Sequence, residues 1–181
     1  MKKELIYSAD IPEGVEVNID GRILTVKGVN GENKRSFYYP NVELKKEHKE
    51  IILNCKIASK KEKAIMGVFI AHIKNMLKGV NRNFVYKLKI CSGHFPMDII
   101  VKGDKVIINN FLGEKKPRIA KILGNVKVNI NGDVITLEGN NKEHVGQCSA
   151  TIEKTTKVKG RDRRIFQDGI FIMEKDGRKV A

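Results

Sequence analysis

The chain reads as an α+β protein of two tandem, similar domains, residues 1–81 and 82–181, each a small antiparallel-rich β-sheet covered by one α-helix. Three observations predict this: a hairpin sequence that occurs twice, a capped amphipathic helix signal in each half, and apolar residues sufficient for two cores. Apolar residues are 41% of the 181, enough for packed domains of about ninety residues each.

The repeat is the primary signal. Residues 15–30 read VEVNIDGRILTVKGVN and residues 126–141 read VKVNINGDVITLEGNN, with eight of sixteen positions identical at an offset of 111. Each copy holds a two-residue turn signal, Asp20-Gly21 or Asn131-Gly132, between alternating apolar runs. Asp-Gly and Asn-Gly accept the positive φ angles of a type I′ turn. That turn predicts Val17 opposite Leu24 and Val15 opposite Val26, then Val128 opposite Ile135 and Val126 opposite Leu137. Both hairpins thereby gain one apolar face of cross-strand pairs.

A helix belongs to each half. Ser59 and Glu62 have the spacing of a capping box, followed by Ile65, Phe69, His72 or Ile73, Met76 and Val80, with Gly79 as the C-terminal stop. Asn140 and Glu143 repeat the capping spacing ahead of Val145, Cys148, Ile152 and Thr155. Further strand-like runs lie at residues 36–39 and 51–57, after the first hairpin, and at 84–91 and 105–111, before the second. The boundary falls near residues 79–83.

Charge narrows the function. Lys and Arg number 35 against 21 Asp and Glu, a net +14, which attracts polyanions. No apolar run approaches the ~20 residues of a membrane span, and no basic amphipathic helix offers a bulky apolar face to a bilayer surface. The first seven residues, MKKELIY, lack the apolar core of a secretory leader. Cys55, Cys91 and Cys148 are odd in number and contain no CxxC pair, so neither a disulfide framework nor a zinc ribbon is expected. A soluble, reduced, intracellular protein is the expectation.

The excess of cations is uneven: residues 1–81 carry 15 basic and 10 acidic groups, residues 82–181 carry 20 and 11. One basic stretch holds Lys115, Lys116, Arg118 and Lys121; the other holds Lys154, Lys157, Lys159, Arg161, Arg163 and Arg164, opposed by Asp162 alone. Lys154 and Lys157 would also suit a helix C-terminus. Three arginines beyond Gly160 lie past the helix, and clustering them without an anion is electrostatically unfavourable. RNA binding explains them. Aromatic residues are 6% of the chain and Trp is absent, which favours recognition of backbone and shape over loose bases. Phe166 and Phe171, flanking Asp168-Gly169, read as core plugs, while Phe111 is open to either reading.

Enzymatic alternatives are thin. Cys91 and His94 could be imagined as nucleophile and base, but a strand cysteine beside a loop histidine is the simpler account. His48, His72, His94 and His144 lack metal-ligand spacing, and no GxxxxGK[ST] or strand-linked GxGxxG phosphate loop is present. No active site, metal or cofactor is expected.

The residues resemble a family: the universal large-subunit ribosomal protein numbered six in bacteria and nine in eukaryotes, in its eukaryotic form. The resemblance rests on DIPEGV (10–15), GRILTVKG (21–28), IKNMLKG (73–79), HFP (94–96), NFLGEK (110–115), LEGN (137–140), TTKVK (155–159) and DRRIFQDGIFI (162–172). It implies two similar sheet-plus-helix domains and a structural role, with the second domain gripping large-subunit rRNA near the sarcin–ricin loop and stalk base and supporting translation factor docking. The family's rRNA-contacting loop falls on Asn110, Gly113, Lys115, Lys116 and Arg118, with Lys121 beyond it. Its C-terminal contact segment falls on Lys157, Lys159, Arg161, Arg163, Arg164, Gln167, Gly169 and Lys175, and Lys74, Asn75, Lys78 and His94 are secondary candidates. Neighbouring large-subunit and stalk-base proteins and nearby translation GTPases are the implied partners, without homo-oligomerisation. The implied location is the cytoplasmic ribosome, after nucleolar assembly if the source is eukaryotic.

Overall fold

The computed structural model describes residues 3–180, the Lys3 side chain excepted. The chain divides into two compact units, residues 1–83 and 84–181.

The first unit contains β1 (Lys3–Asp10), β2 (Glu16–Asp20), β3 (Ile23–Gly28), β4 (Gly31–Ser36), β5 (Glu43–Glu47), β6 (Glu50–Ala58) and α1 (Lys60–Asn81). Its strands form two antiparallel sheets, ordered β1-β6-β5 and β2-β3-β4. Leu24, Val26, Ile51, Leu53 and Cys55 supply the buried face of the strands, and Met66, Ile73, Leu77 and Val80 supply that of α1. Fully burying each such side chain contributes roughly 1.5–3 kcal/mol before conformational entropy is deducted.

The second unit contains β7 (Phe84–Cys91), β8 (Asp98–Lys102), β9 (Lys105–Asn109), a 3-10 turn (Phe111–Gly113), β10 (Arg118–Lys121), β11 (Lys127–Asn131), β12 (Val134–Gly139), α2 (Lys142–Thr155), β13 (Gly169–Lys175) and β14 (Arg178–Lys179). The sheets are ordered β10-β9-β8 and β11-β12-β7-β13-β14. Leu88, Ile135, Leu137 and Ile170 pack beneath Val145, Cys148 and Ile152 of α2, with Val106, Ile108, Ala120 and Phe111 completing the core.

Both repeats are hairpins, but their register differs from expectation. Ile19 pairs with Leu24 and Val17 with Val26; Ile130 pairs with Ile135 and Val128 with Leu137. The loops are Gly21-Arg22 and Gly132-Asp133, where only the glycines have positive φ, +59° and +55°. Glycine at the first central position with positive φ there alone is the II′ pattern, not I′. The slip is two residues in the pairing sum, so every side chain keeps its face and the apolar pairs survive.

Four further boundaries move. Strand β4 ends at Ser36, not Tyr39, because its partner β3 begins at Ile23, opposite Ser36. Phe37 then turns inward, 5% exposed, edge-on to Phe69 at 5.2 Å. Helix α1 runs through the buried Gly79 to Asn81, and Arg82 caps it with its N–H on the Lys78 carbonyl. The Ser59–Glu62 capping box is formed. Helix α2 is capped by Asn141, one residue later than Asn140, its side chain accepting from the Glu143 and His144 amides. Strand β9 stops at Asn109 because Asn110 and Leu112 take left-handed conformations, φ 57° and 50°.

Candidate nucleic-acid interface

In the second unit, two basic stretches far apart in sequence meet at the C-terminal end of α2, and Arg118 joins them. Its Nε donates to Glu114 Oε2 at 2.8 Å and its Nη2 to Glu114 Oε1 at 2.5 Å. Its Nη1 reaches the carbonyls of Thr155 (2.8 Å) and Lys157 (3.2 Å), and the guanidinium lies 4.2 Å from the centroid of the buried Phe111 ring. A cation on the last carbonyls of a helix also suits the macrodipole. The hydrogen bonds from Arg118 hold the Glu114 carboxyl below its usual range, against a smaller push upward from burial. Arg118, expected among the phosphate ligands, thus works as a latch within the protein.

The loop it holds is tightly coiled. Asn110, Leu112 and Gly113 all have positive φ, and Asn110 Nδ2 donates to the Pro96 carbonyl at 3.0 Å. Lys115 and Lys116 are exposed at its tip. The Thr155 and Lys157 carbonyls anchor the other stretch, which carries Lys157, Lys159, Arg161, Arg163 and Arg164 outward.

Asp168 organises the segment behind those arginines. Its buried carboxylate accepts from the amides of Gly93 (2.6 Å) and His94 (2.9 Å) through Oδ1, and meets the His94 ring at Nδ1 (2.5 Å) through Oδ2. Burial pushes this carboxyl upward, but the His94 and Gly93 hydrogen bonds together prevail and hold it below its usual value. The His94 ring so fixed stacks on Phe166, centroids 4.7 Å apart at 25°, and Arg161 lies 4.7 Å from the same Phe166 ring. Arg164 is paired with Asp162 at 2.9 Å, which depresses the Asp162 carboxyl. Gln167 Nε2 donates to the Arg164 carbonyl at 3.2 Å.

The expected residues therefore do not all converge. Lys115, Lys116, Lys157, Lys159, Arg161, Arg163, Arg164 and Gln167 belong to the two segments joined around the α2 terminus, and His94, from the loop between β7 and β8, is tied to the second of them through Asp168 and Phe166. Lys121 sits at the far end of β10, about 10 Å along the strand from Arg118. Lys175 ends β13, roughly 20 Å from Gly169. Gly169 is buried, and a Cβ there would meet Phe171 Cζ at 3.2 Å, so glycine lets that ring pack closely over the backbone. Lys74 and Lys78 lie exposed one turn apart near the end of α1, with Asn75 beside them, in the first unit.

Sequence reasoning missed the aromatic side chains. Phe166 is half-buried in its stack and Phe171 is 44% exposed on the open face of the sheet, so neither is a core plug, whereas Phe111 at 1% is. Among the described residues no cluster of three His, Cys, Asp or Glu could hold a metal, and no helix is long and apolar enough to cross a membrane.

The family model described as Ribosomal protein L6 matches residues 11–82 and 95–169, one stretch in each unit. The chain belongs to the ribosomal protein L6 family. It is 50% identical over 167 residues to the "Large ribosomal subunit protein uL6" of Methanobrevibacter smithii, covering 92% of this chain and 94% of the relative. The protein of that description from Methanosarcina mazei is 46% identical over 175 residues, 97% of this chain and 99% of its own length. These relatives are archaeal, in keeping with the eukaryotic type of the L6 family. As an L6 member the chain is a structural ribosomal protein and not an enzyme; Cys91 and His94 are no catalytic pair, and the His94 ring is engaged by Asp168 and Phe166.

Proposed function

We propose that this L6 protein is a constituent of the large ribosomal subunit whose second unit binds and stabilises folded large-subunit rRNA near the sarcin–ricin loop and stalk base. In that position it supports the docking of translation GTPases and borders neighbouring large-subunit and stalk-base proteins. It works in the cytoplasmic ribosome. The observation that carries this reading is the joining of two basic segments, 37 residues apart at their link, into one surface by Arg118. Lys115, Lys116, Lys157, Lys159, Arg161, Arg163 and Arg164 neutralise phosphates there, while Arg118 and Asp168 hold the segments in place. For six to ten phosphate contacts, affinity falls about 10³–10⁵-fold between 50 and 200 mM salt.

Replacing Arg161, Arg163 and Arg164 together by Ala tests the reading. Incorporation of the tagged protein into large subunits, followed by gradient sedimentation, is expected to drop far more than for Lys45, Lys46 and Lys49 replaced together in the first unit. Equal incorporation of the two triple variants sinks the assignment to the second unit. Crosslinked RNA drawn from many messengers, with the protein free of subunits, sinks the ribosomal reading itself.

A further inference from the structure

Beside the basic surface lies a groove of ≈ 1050 Å³, bounded by the end of α2, the start of β13 and the 163–168 segment. We propose that this groove seats a single unpaired RNA base, stacked on Phe171 and flanked by Ile165, with its adjoining phosphates held by Lys154, Lys157, Arg163 and Arg164. The proposal rests on the reading of the second unit as an rRNA-binding surface and names what part of the RNA enters it.

Charge and polarity in the groove point to that occupant. Two carboxylates, Glu153 and Asp168, line it, yet both have donors within the protein. Glu153 Oε1 accepts the Ile172 amide at 3.1 Å, and Asp168 holds two amides and the His94 ring. Lys154, Lys157 and Arg163 therefore dominate the rim, beside an Arg164 held by Asp162. The apolar side chains break the usual pattern for a phosphate site: Phe171 is 44% and Ile165 64% exposed in the same groove. Phosphates of a continuous duplex require donors and gain nothing from an exposed phenyl ring. A base extruded from the stack brings a flat π face together with a charge on either side. An acidic peptide would also answer a cationic rim, but the cations continue past the groove through Lys159 and Arg161, as a regularly charged backbone requires.

The aromatic rings in and beside the groove already have packing partners within the protein. Phe171 Cζ lies 3.2 Å from where a Cβ of Gly169 would stand, so glycine lets the ring pack there without a shift. The Arg161–Phe166–His94 stack is pinned by the buried Asp168. An aromatic surface already held in position loses little conformational freedom on binding.

The test uses the full-length protein and purified large-subunit rRNA, with affinity measured by filter binding across a KCl series for wild type and for Phe171→Tyr, Phe171→Leu and Phe171→Ala. Phe171 is on the open sheet face, and thermal melts confirm that each variant is folded. Tyr is expected to bind within about twofold of wild type. Leu and Ala are expected to lose roughly 5- to 150-fold at unchanged salt slope, the range of one lost base–aromatic stack. Lys157→Ala is expected to lower the slope by about one ion instead. Leu binding as well as Phe would mean that the groove takes apolar packing and not a base, and overturns the proposal. So does equal binding of all three variants, or loss of a neighbouring protein from Phe171→Ala subunits while rRNA affinity is unchanged. In each of those cases wild-type binding to rRNA still stands. Absence of salt-dependent rRNA binding by the wild type defeats the functional reading on which the proposal depends.

Discussion

Asn30 and Asn141 close the two copies of the repeated hairpin, and they serve opposite ends of a helix. In the first unit Asn30 is a donor: its amide reaches the Val80 carbonyl and its Nδ2 the Asn81 carbonyl, both at 2.9 Å, sealing the last turn of α1. In the second unit Asn141 is an acceptor, its Oδ1 taking the Glu143 amide at 2.9 Å and the His144 amide at 3.4 Å at the first turn of α2. The glycines two residues earlier follow suit. A Cβ on Gly28 would meet Val80 near the end of α1, and one on Gly139 would meet Val145 near the start of α2. A carboxamide has both a donor and an acceptor, so one hairpin sequence can receive either helix end. The consequence is functional. Where the hairpin seals the C-terminal turn, as in α1, the last carbonyls are covered. Where the hairpin holds the N-terminal turn, as in α2, the C-terminal carbonyls are left for Arg118, and the basic segment is built from there.

The largest expected effect removes the anchor found only in the second unit. Asp168→Ala leaves the Gly93 amide, the His94 amide and the His94 ring without their shared acceptor. A loss of about 3 kcal/mol is expected in urea unfolding, at the upper end for hydrogen bonds to a charged group. The same group sets an acid limit. Its folded pKa is depressed, so its stabilisation is fully present above the unfolded value of about 3.9 and is lost as pH falls through the folded pKa. Glu114 follows the same sign. Melting temperatures followed from pH 7 to 2.5 should fall below about pH 4, with a shallower fall in Asp168→Asn. An equally steep fall in that variant would assign the acid sensitivity to other carboxylates.

Alanine at the two repeat glycines ranks next. Gly28→Ala drives a Cβ to 2.8 Å from the Val80 backbone oxygen and 3.0 Å from its Cβ, neither of which moves without the helix. Gly139→Ala meets chiefly Val145 Cγ2 at 2.9 Å, a methyl that rotates or shifts more readily. About 2 kcal/mol is expected for the first and about half that for the second, within the range for overpacking. Equal losses in chemical denaturation would show that the two hairpins meet their helices with the same rigidity.

What the sequence made legible was local. The repeat exposed both hairpins because Val17, Leu24, Val128 and Ile135 keep their faces even though the turn lies one residue further on and the partner of each residue moves by two. The Ser59–Glu62 box announced α1 because its partners are three residues apart. The Glu114–Arg118 pair, at helical spacing outside a helix, hid its meaning because the Thr155 and Lys157 carbonyls arrive from a distant stretch of chain. Phe171 was misread because Ile170, Phe171, Ile172 and Met173 are all apolar. An unbroken apolar run carries no period, and only pairing with β7 shows that Ile170 faces the core and Phe171 does not. The cations were readable as a composition, but which of them form one surface depended on a single arginine's long-range bonds.

The smallest expected effect is the most discriminating, because one substitution should act with opposite sign at matching positions of the repeat. Asn141→Asp keeps an acceptor at the N-cap and places a negative charge where the helix dipole favours it. Its stability should match or exceed wild type by a few tenths of a kcal/mol. Asn30→Asp removes the donor to the Asn81 carbonyl and sets a negative charge beside the carbonyl end of α1, for an expected loss of about 1 kcal/mol. Urea titrations of the two single variants at pH 7 decide it. If both aspartates destabilise, the gain at Asn141 is cancelled by contacts of the carboxamide that a carboxylate cannot make. If neither does, the Asn30 bond is replaced by water without loss, and the backbone contact from Asn30 to Val80 alone seals the helix end.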